Sequence, residues 1–201
     1  MKISCALGIA VFLVVAPSFA GDVETGIRLY EKKQYAKAAI AFQQAAGRGN
    51  AEALRRLGFM YYHGEGVRQD NRQAERLFVQ SANAGDVESA SNLAKMYEFG
   101  MGVAQDDALA AEWYRRAAEM GDPVAQFGAG IIYYKGQGLA QDRVEAIKWW
   151  TLAMSHGAEW ARWVDNIRPT IESAQGKLTA AQIAEGRDRA STWSKAHDKV
   201  N

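Results

Sequence analysis

Residues 64–70 read GEGVRQD, residues 100–106 read GMGVAQD and residues 136–142 read GQGLAQD, and the interval between them is 36 residues each time. The same interval relates three further columns, which are Tyr61, Tyr97 and Tyr133; Ala74, Ala110 and Ala146; and Gly85, Gly121 and Gly157. Self-similarity at a fixed period of this length is typical of a repeat architecture, in which each unit stacks on its neighbours.

Each 36-residue unit predicts two helices joined by a glycine turn. In the first unit, Ala53, Leu57, Gly58 and Tyr61 have helical spacing on one face of a helix expected at about 53–62. The Gly-x-Gly turn is expected to end this helix, because glycine adopts the left-handed conformation of a helix C-terminus without a Cβ penalty.

Aspartates mark the start of the second helix in every unit. Asp70, Asp106 and Asp142 stand where an N-cap is expected, and Gln73 and Glu145 follow two of them by three residues, as in a capping box. A single helix pair cannot bury its apolar stripe, so stacking of the units is predicted to build the core.

These columns resemble the signature of the Sel1-like repeat family, which is related to the tetratricopeptide (TPR) repeats. Besides the glycine turn and its aspartate, the resemblance rests on Leu57, Gly58, Tyr61, Ala110, Trp113, Tyr114, Ala117, Ala118 and Gly121. It implies an all-α fold, a right-handed superhelical solenoid of helix-turn-helix repeats. It also implies that Trp113 and Trp149, which share a repeat column, pack in the core.

The repeats divide the chain after its N-terminus into five parts. Three full units are predicted at 51–86, 87–122 and 123–158. Upstream, residues 21–50 resemble a TPR unit, and the matching residues are Gly26, Tyr35, Ala38, Phe42 and Ala45. Residues 159–201 are expected to form C-terminal capping helices and a polar tail.

The expected C-terminal cap has its own local signals. Thr179 and Gln182 predict a capping box at the start of a helix, and Trp193 is expected to anchor that helix on the repeats. Upstream of it, Pro169 predicts the end or a kink of the preceding helix, because proline lacks the amide proton that a helix interior needs.

The N-terminus has the pattern of a secretory signal peptide. Lys2 is followed by an apolar stretch at 5–16, and Ser18 and Ala20 supply the small residues of a cleavage site before Gly21. Residues 1–20 are therefore predicted to be removed, which leaves no integral membrane span and indicates a periplasmic or secreted protein. The single cysteine of the chain lies in this segment, so the mature domain has no disulfide.

Composition and motifs favour binding over catalysis. The chain has 24 Lys and Arg against 23 Asp and Glu, and this balance does not favour attraction to nucleic acid. No phosphate-binding loop or serine nucleophile motif is present, and His63, His156 and His197 are far apart in sequence. We therefore expect a non-enzyme without a metal or cofactor.

The alternative is a cell-wall-directed enzyme or a binder of a β-lactam or peptidoglycan type of ligand. It follows from the resemblance, since some secreted Sel1-like proteins have been linked to such ligands. Those relatives carry a cysteine pair in each repeat, and this chain has none. The main prediction is a protein–protein interaction scaffold, adaptor or regulator in the bacterial envelope, with a protein or peptide as its partner.

The resemblance also implies which side chains face a concave groove, by the column they occupy in the first helix of each repeat. The candidate partner-binding residues are Arg55, Phe59, Tyr62, Lys95, Phe99, Phe127, Tyr134, Trp160 and Trp163. Aromatic and basic side chains are common among binding hot spots. For the groove residues, packing between repeats is the open alternative. For Trp160 and Trp163, packing under the C-terminal cap is favoured, and a ligand-facing pair is the alternative.

Overall fold

The computed structural model describes residues 20–197, which contain ten α-helices and no strand. The helices are α1 (Ala20–Glu31), α2 (Tyr35–Ala46), α3 (Ala51–His63), α4 (Asn71–Asn83), α5 (Val87–Phe99), α6 (Asp107–Glu119), α7 (Pro123–Lys135), α8 (Arg143–Met154), α9 (Ala161–Gln175) and α10 (Ala180–His197). The predicted all-α repeat solenoid is confirmed. Except for Ala20, the predicted signal peptide lies outside the described residues, as does the end of the polar tail at 198–201.

The predicted N-caps are confirmed at the start of all three second helices. The Asp70 carboxylate accepts a hydrogen bond from the Gln73 amide at 2.9 Å, and the Asp142 carboxylate accepts one from the Glu145 amide at 2.9 Å. Asp106 does the same for the amides of α6. Each aspartate thereby satisfies a backbone donor that the first helical turn leaves without a partner.

The predicted capping boxes at these positions are wrong in one of their two hydrogen bonds, the one from the N-cap amide to the side chain three residues later. The Asp70 amide donates to the Tyr61 carbonyl, and the Gln73 side chain accepts from Arg76 instead of returning to Asp70. Likewise, the Asp142 amide donates to the Tyr133 carbonyl. The preceding helix therefore supplies the acceptor that a capping box would have supplied, since the glycine turn folds each aspartate back against it.

The glycine turns hold left-handed residues, as predicted. Gly64, Gly100 and Gly136 end α3, α5 and α7 with φ of 72°, 63° and 72°. Two residues later, Gly138 also has a positive φ of 71°, and a Cβ on it would lie 2.0 Å from the Asp107 carbonyl oxygen. The turn of the third repeat therefore lies directly on the backbone at the start of α6.

Each helix from α1 to α8 packs on the next helix in the chain, and the buried side chains form three clusters. Trp113 and Trp149 are buried in the largest cluster, which confirms their predicted core position. The third cluster joins α8 to Ile167 and Ile171 of α9. Partly buried side chains bridge the clusters, since Tyr61 packs against the first and second and Tyr133 against the first and third, as expected when no pair can bury its stripe alone.

Of the two C-terminal helices, α10 packs more extensively on α8 than α9 does. The capping box of α10 is confirmed, since the Thr179 hydroxyl accepts from the Gln182 amide at 3.2 Å and the Gln182 side chain accepts from the Thr179 amide at 3.0 Å. The Trp193 ring lies 6.1 Å from the Trp149 ring, edge to face, so Trp193 anchors the cap as predicted.

Pro169 does not end a helix, because α9 continues through it to Gln175. Proline in a helix interior removes one hydrogen bond to the residue four positions earlier. That residue is Asp165, and both Asp165 and Pro169 are exposed, so solvent can reach the carbonyl that proline leaves unpaired.

Candidate functional site

The predicted groove residues lie on α3, α5 and α7, the first helices of the three repeats. We call this set the first-helix face; its residues are Arg55, Phe59, Tyr62, Lys95, Phe99, Phe127 and Tyr134. By the 36-residue period, Arg55 shares a repeat column with Phe127, Phe59 with Lys95 and Tyr62 with Tyr134, and Phe99 directly follows the column of Tyr62; the same face of each helix therefore carries them. We divide the face by helix into a basal part on α3 (Arg55, Phe59 and Tyr62), a middle part on α5 (Lys95 and Phe99) and a terminal part on α7 (Phe127 and Tyr134).

The Arg55 side chain forms ion pairs between neighbouring repeats. Its guanidinium lies 3.1 Å from the Asp86 carboxylate and 2.8 Å from that of Glu88, and its side chain is 17% exposed. Asp86 also caps α5 by accepting from the Ser89 amide. Arg55 therefore links α3 to the start of α5, and much of its charge is already paired within the chain.

The same link recurs one repeat later with different chemistry. The Ser91 hydroxyl donates to the Asp122 carboxylate at 2.6 Å, and Asp122 caps α7 through the Ala125 amide. Sequence reasoning missed these first-helix caps. A signal was present, because Gly-Asp precedes both α5 and α7.

The basal part of the face is an aromatic group on α3. Phe59 packs edge to face on Phe78 with 5.0 Å between ring centroids, and His63 lies next to both Phe59 and Tyr62. A cavity of about 210 Å³ is lined here by Phe59, His63 and side chains of α1, α2 and α3. Phe59 and Tyr62 are both half-buried, so each contributes to packing and leaves part of its ring accessible.

The middle part of the face, on α5, is the most accessible. Phe99 is 66% exposed, the largest value among the exposed large hydrophobic side chains described. Lys95, one helical turn before it, is half-buried and forms no ion pair with any residue between 20 and 197. Within residues 20–197, α5 thus presents a largely exposed apolar ring and a cation without an ion pair, one helical turn apart.

The terminal part of the face is packed under α9. The Phe127 ring lies 5.9 Å from that of Trp163, and the Tyr134 ring lies 5.5 Å from that of Trp150. The Trp160 ring lies 5.7 Å from Trp163. The structure therefore brings Phe127, Trp163 and Trp160 into one aromatic series, and Phe127, Tyr134 and Trp163 are partly buried against the third core cluster.

Three tyrosine–carboxylate hydrogen bonds connect separate elements of the array, two of them between neighbouring helices and one between α1 and the turn after α3. The Tyr30 hydroxyl donates to Glu65 at 2.5 Å, the Tyr114 hydroxyl donates to Glu98 at 2.6 Å, and Tyr97 donates to Glu75. The bond to Glu65 raises the pKa of Tyr30 to about 12, with burial as the second cause. For Tyr97 and Tyr114, burial is the larger cause of a raised pKa, and the hydrogen bond adds to it.

These raised pKa values predict a loss of stability in alkali. A tyrosine whose folded pKa is raised stabilises the fold fully below its ordinary value of 10.0 and loses that contribution as the pH passes the raised value. Denaturant unfolding should therefore show a falling free energy between pH 10 and about 12, and Tyr30→Phe should make the fall shallower. Tyr62→Phe is the control, since its hydroxyl has no hydrogen bond within residues 20–197. Equal slopes for wild type and Tyr30→Phe would contradict the assignment.

Two further observations bear on the type of site. Between residues 20 and 197, no three His, Cys, Asp or Glu side chains are arranged so that they could hold a metal ion. None of the described helices is long and apolar enough to cross a membrane. What the first-helix face offers is a surface of aromatic rings and basic side chains.

The repeat geometry agrees with a family model, the Sel1 repeat, which matches residues 51–86, 87–122 and 123–157. The chain belongs to the Sel1 repeat family. Sel1 repeat proteins generally mediate protein–protein interaction, and the family typically provides a non-catalytic scaffold. No curated protein gives a significant match to this chain.

Solved Sel1-type structures resemble the chain over most of its length. A protective antigen present in uropathogenic Escherichia coli strains, described as displaying an SLR fold, is 26% identical with a TM-score of 0.70, and the alignment covers 87% of this chain. A Sel1 repeat protein from Oxalobacter formigenes is 30% identical with a TM-score of 0.60, and 68% of this chain is covered. The chain spans only 38% and 54% of the lengths of those two proteins.

Proposed function

We propose that this Sel1 repeat protein is an interaction scaffold of the bacterial envelope that binds a protein partner through its first-helix face. The observation that carries the proposal is the middle of that face, where Phe99 is 66% exposed and Lys95 has no ion pair within the described residues. An exposed aromatic side chain is of the type enriched at interfaces, and the lysine beside it adds a charge that can steer a complementary partner.

The three parts of the face suit different roles in such an interface. Arg55 forms ion pairs with two carboxylates, so its role is to fix neighbouring repeats to each other and not to present a free charge to a partner. Phe127 and Tyr134 are partly buried against the third core cluster, which holds the terminal part of the face in place. Phe99 and Lys95 contribute most of the accessible chemistry, and we place the centre of the contact there.

The test is a double substitution, Lys95→Ala with Phe99→Ala, used as bait against envelope extract. Loss of an aromatic hot spot commonly costs about 2 kcal/mol or more, so affinity for the captured partner should fall by roughly 30-fold. Circular dichroism should be unchanged, since neither side chain is in the buried core.

The matched control is Lys37→Ala with Ile40→Ala, which removes a lysine and a large exposed apolar side chain from α2, where Ile40 is 58% exposed. This control should bind as wild type does. If the α5 variant retains full binding, or the α2 variant loses as much, the first-helix face is not the interface. Substituting Phe127 and Tyr134 would be a poorer test, because it would change packing and binding together.

The envelope location has its own test, which rests on the sequence pattern at residues 1–20. We expect the protein in the periplasmic or secreted fraction to begin at Gly21 on N-terminal sequencing. A chain that still begins at Met1 and fractionates with the cytoplasm would contradict the proposed location and leave the binding face untouched.

A further inference from the structure

A second feature of the terminal part is a cavity of about 250 Å³ between α7, α8 and α9. Its apolar lining comes from Ile131, Tyr134, Trp150 and Ala174. Trp150 is 1% exposed and Ala174 is buried, so these two form a firm floor. The walls are thus fixed by the third core cluster, and the opening faces solvent.

The rim of this cavity is basic. Lys135 at the end of α7 and Lys177 just after α9 both line it, and both are exposed. Neither forms an ion pair with any residue between 20 and 197. The Arg143 guanidinium lies 5.8 Å from the centre of the Tyr134 ring and adds a third cation beside the opening.

No carboxylate belongs to the lining, whose remaining members are Thr170 and Ser173. Their hydroxyls can donate hydrogen bonds to an anion or to a backbone carbonyl. An apolar floor, two hydroxyls and unpaired cations at the rim are complementary to an apolar group that has negative charge beside it.

We propose that this cavity receives one apolar side chain from an acidic segment of the protein partner, with the flanking carboxylates placed at Lys135 and Lys177. The proposal rests on the proposed function and names the chemistry of the partner. The cavity continues the first-helix face through Tyr134, so a segment bound at Phe99 and Lys95 can extend to it along the same surface.

The size of the cavity favours a side chain over a whole small molecule. Sites that enclose drug-sized ligands are usually about 300–1,000 Å³, and this cavity is below that range. A single phenylalanine or leucine side chain is a suitable occupant, because its backbone stays outside and can place carboxylates at the rim.

The probe is a blocked five-residue peptide with phenylalanine at its centre and two glutamates on each side. Two comparison peptides replace the phenylalanine by alanine or the glutamates by lysines. Amide chemical shifts of the full mature chain should respond in α7 and α9 to the first peptide. Both comparison peptides should bind at least about tenfold more weakly than the glutamate–phenylalanine peptide, and added salt should weaken the binding of that peptide.

The variant test is Lys135→Glu with Lys177→Glu, since exposed lysines can be reversed in charge with little effect on folding. Affinity for the glutamate peptide should fall by about tenfold or more, while Lys32→Glu with Lys37→Glu at the other end of the chain leaves it unchanged. Equal binding of the glutamate and lysine peptides, or no effect of the reversal at Lys135 and Lys177, would overturn the proposal.

Failure of this proposal is distinguishable from failure of the proposed function. If the envelope partner loses affinity for the Lys95 and Phe99 variant but binds the Lys135 and Lys177 variant as wild type, the face stands and the cavity assignment is overturned. If the peptide binds at the cavity while no partner needs Lys95 and Phe99, the cavity is supported and the proposed interface on α5 is overturned.

Discussion

A chain carrying Gly138→Ala is expected to lose about 3 kcal/mol of unfolding free energy, a large effect for adding one methyl group. Gly138 has a φ of 71°, which costs an alanine roughly 1–2 kcal/mol. Its Cβ would also lie 2.0 Å from the Asp107 carbonyl oxygen and 2.7 Å from the Ala108 nitrogen. Because both are backbone atoms, no side-chain rotation relieves the overlap, and the turn must move away from α6.

Denaturant unfolding monitored by circular dichroism measures this loss, and Gly121→Ala is the matched control. Gly121 has a φ of 90° but nothing within 4 Å of the position of its Cβ, so only the backbone strain remains. The control should lose only the roughly 1–2 kcal/mol of that strain. Equal losses for the two variants would show that the turn can yield without cost and that the contact with α6 contributes little.

Trp150→Ala is expected to have the largest effect, a loss of about 3–5 kcal/mol. Trp150 is 1% exposed, and its Nε1 donates to the Phe127 carbonyl oxygen at 3.3 Å. A Cβ on Gly130 would lie 2.2 Å from that nitrogen, so the indole lies directly against the backbone of α7. Removing it leaves a cavity in the third cluster and removes the floor on which α9 rests.

The same unfolding experiment with Trp160→Ala provides the comparison. Trp160 is half-buried, and its described ring contacts are with His156 and Trp163 only. Its loss should cost less than about 1 kcal/mol, as expected for a residue near the surface. A cost for Trp160→Ala that matches Trp150→Ala would mean that the aromatic series of α9, and not the indole of α8, holds the third cluster together.

The repeat fold could be predicted from sequence because its determinants are local and periodic. Asp106 as an N-cap and Gly100 as a left-handed residue are each required by a helix end, and the period places them in every unit. The same holds for the capping box of Thr179 and Gln182. A prediction from local sequence was only half right where another side chain competed for the same group. The capping box at Asp70 is the example, because the Gln73 side chain bonds to Arg76 instead.

The candidate site was less predictable, since its chemistry depends on contacts between repeats. The column of Arg55 predicts a groove side chain, but only the structure shows that Asp86 and Glu88 hold it. Likewise, α9 and α10 both contact α8, and α10 does so more extensively. The sequence pattern of either helix alone contains no information about which of them packs more closely on α8.

The packing of α10 on α8 also affects the order in which the repeats unfold. In a linear stack each unit is held only by its neighbours, so the ends open first and at the lowest free energy. Here the C-terminal end is held by an additional contact. Gly186 and Trp193 of α10, which follows α9 in the chain, lie against Ile147 and Trp149 of α8. At the opposite end, α1 packs chiefly on α2. Fraying should therefore start at the N-terminal hairpin, and its amides should exchange with solvent before those of α8.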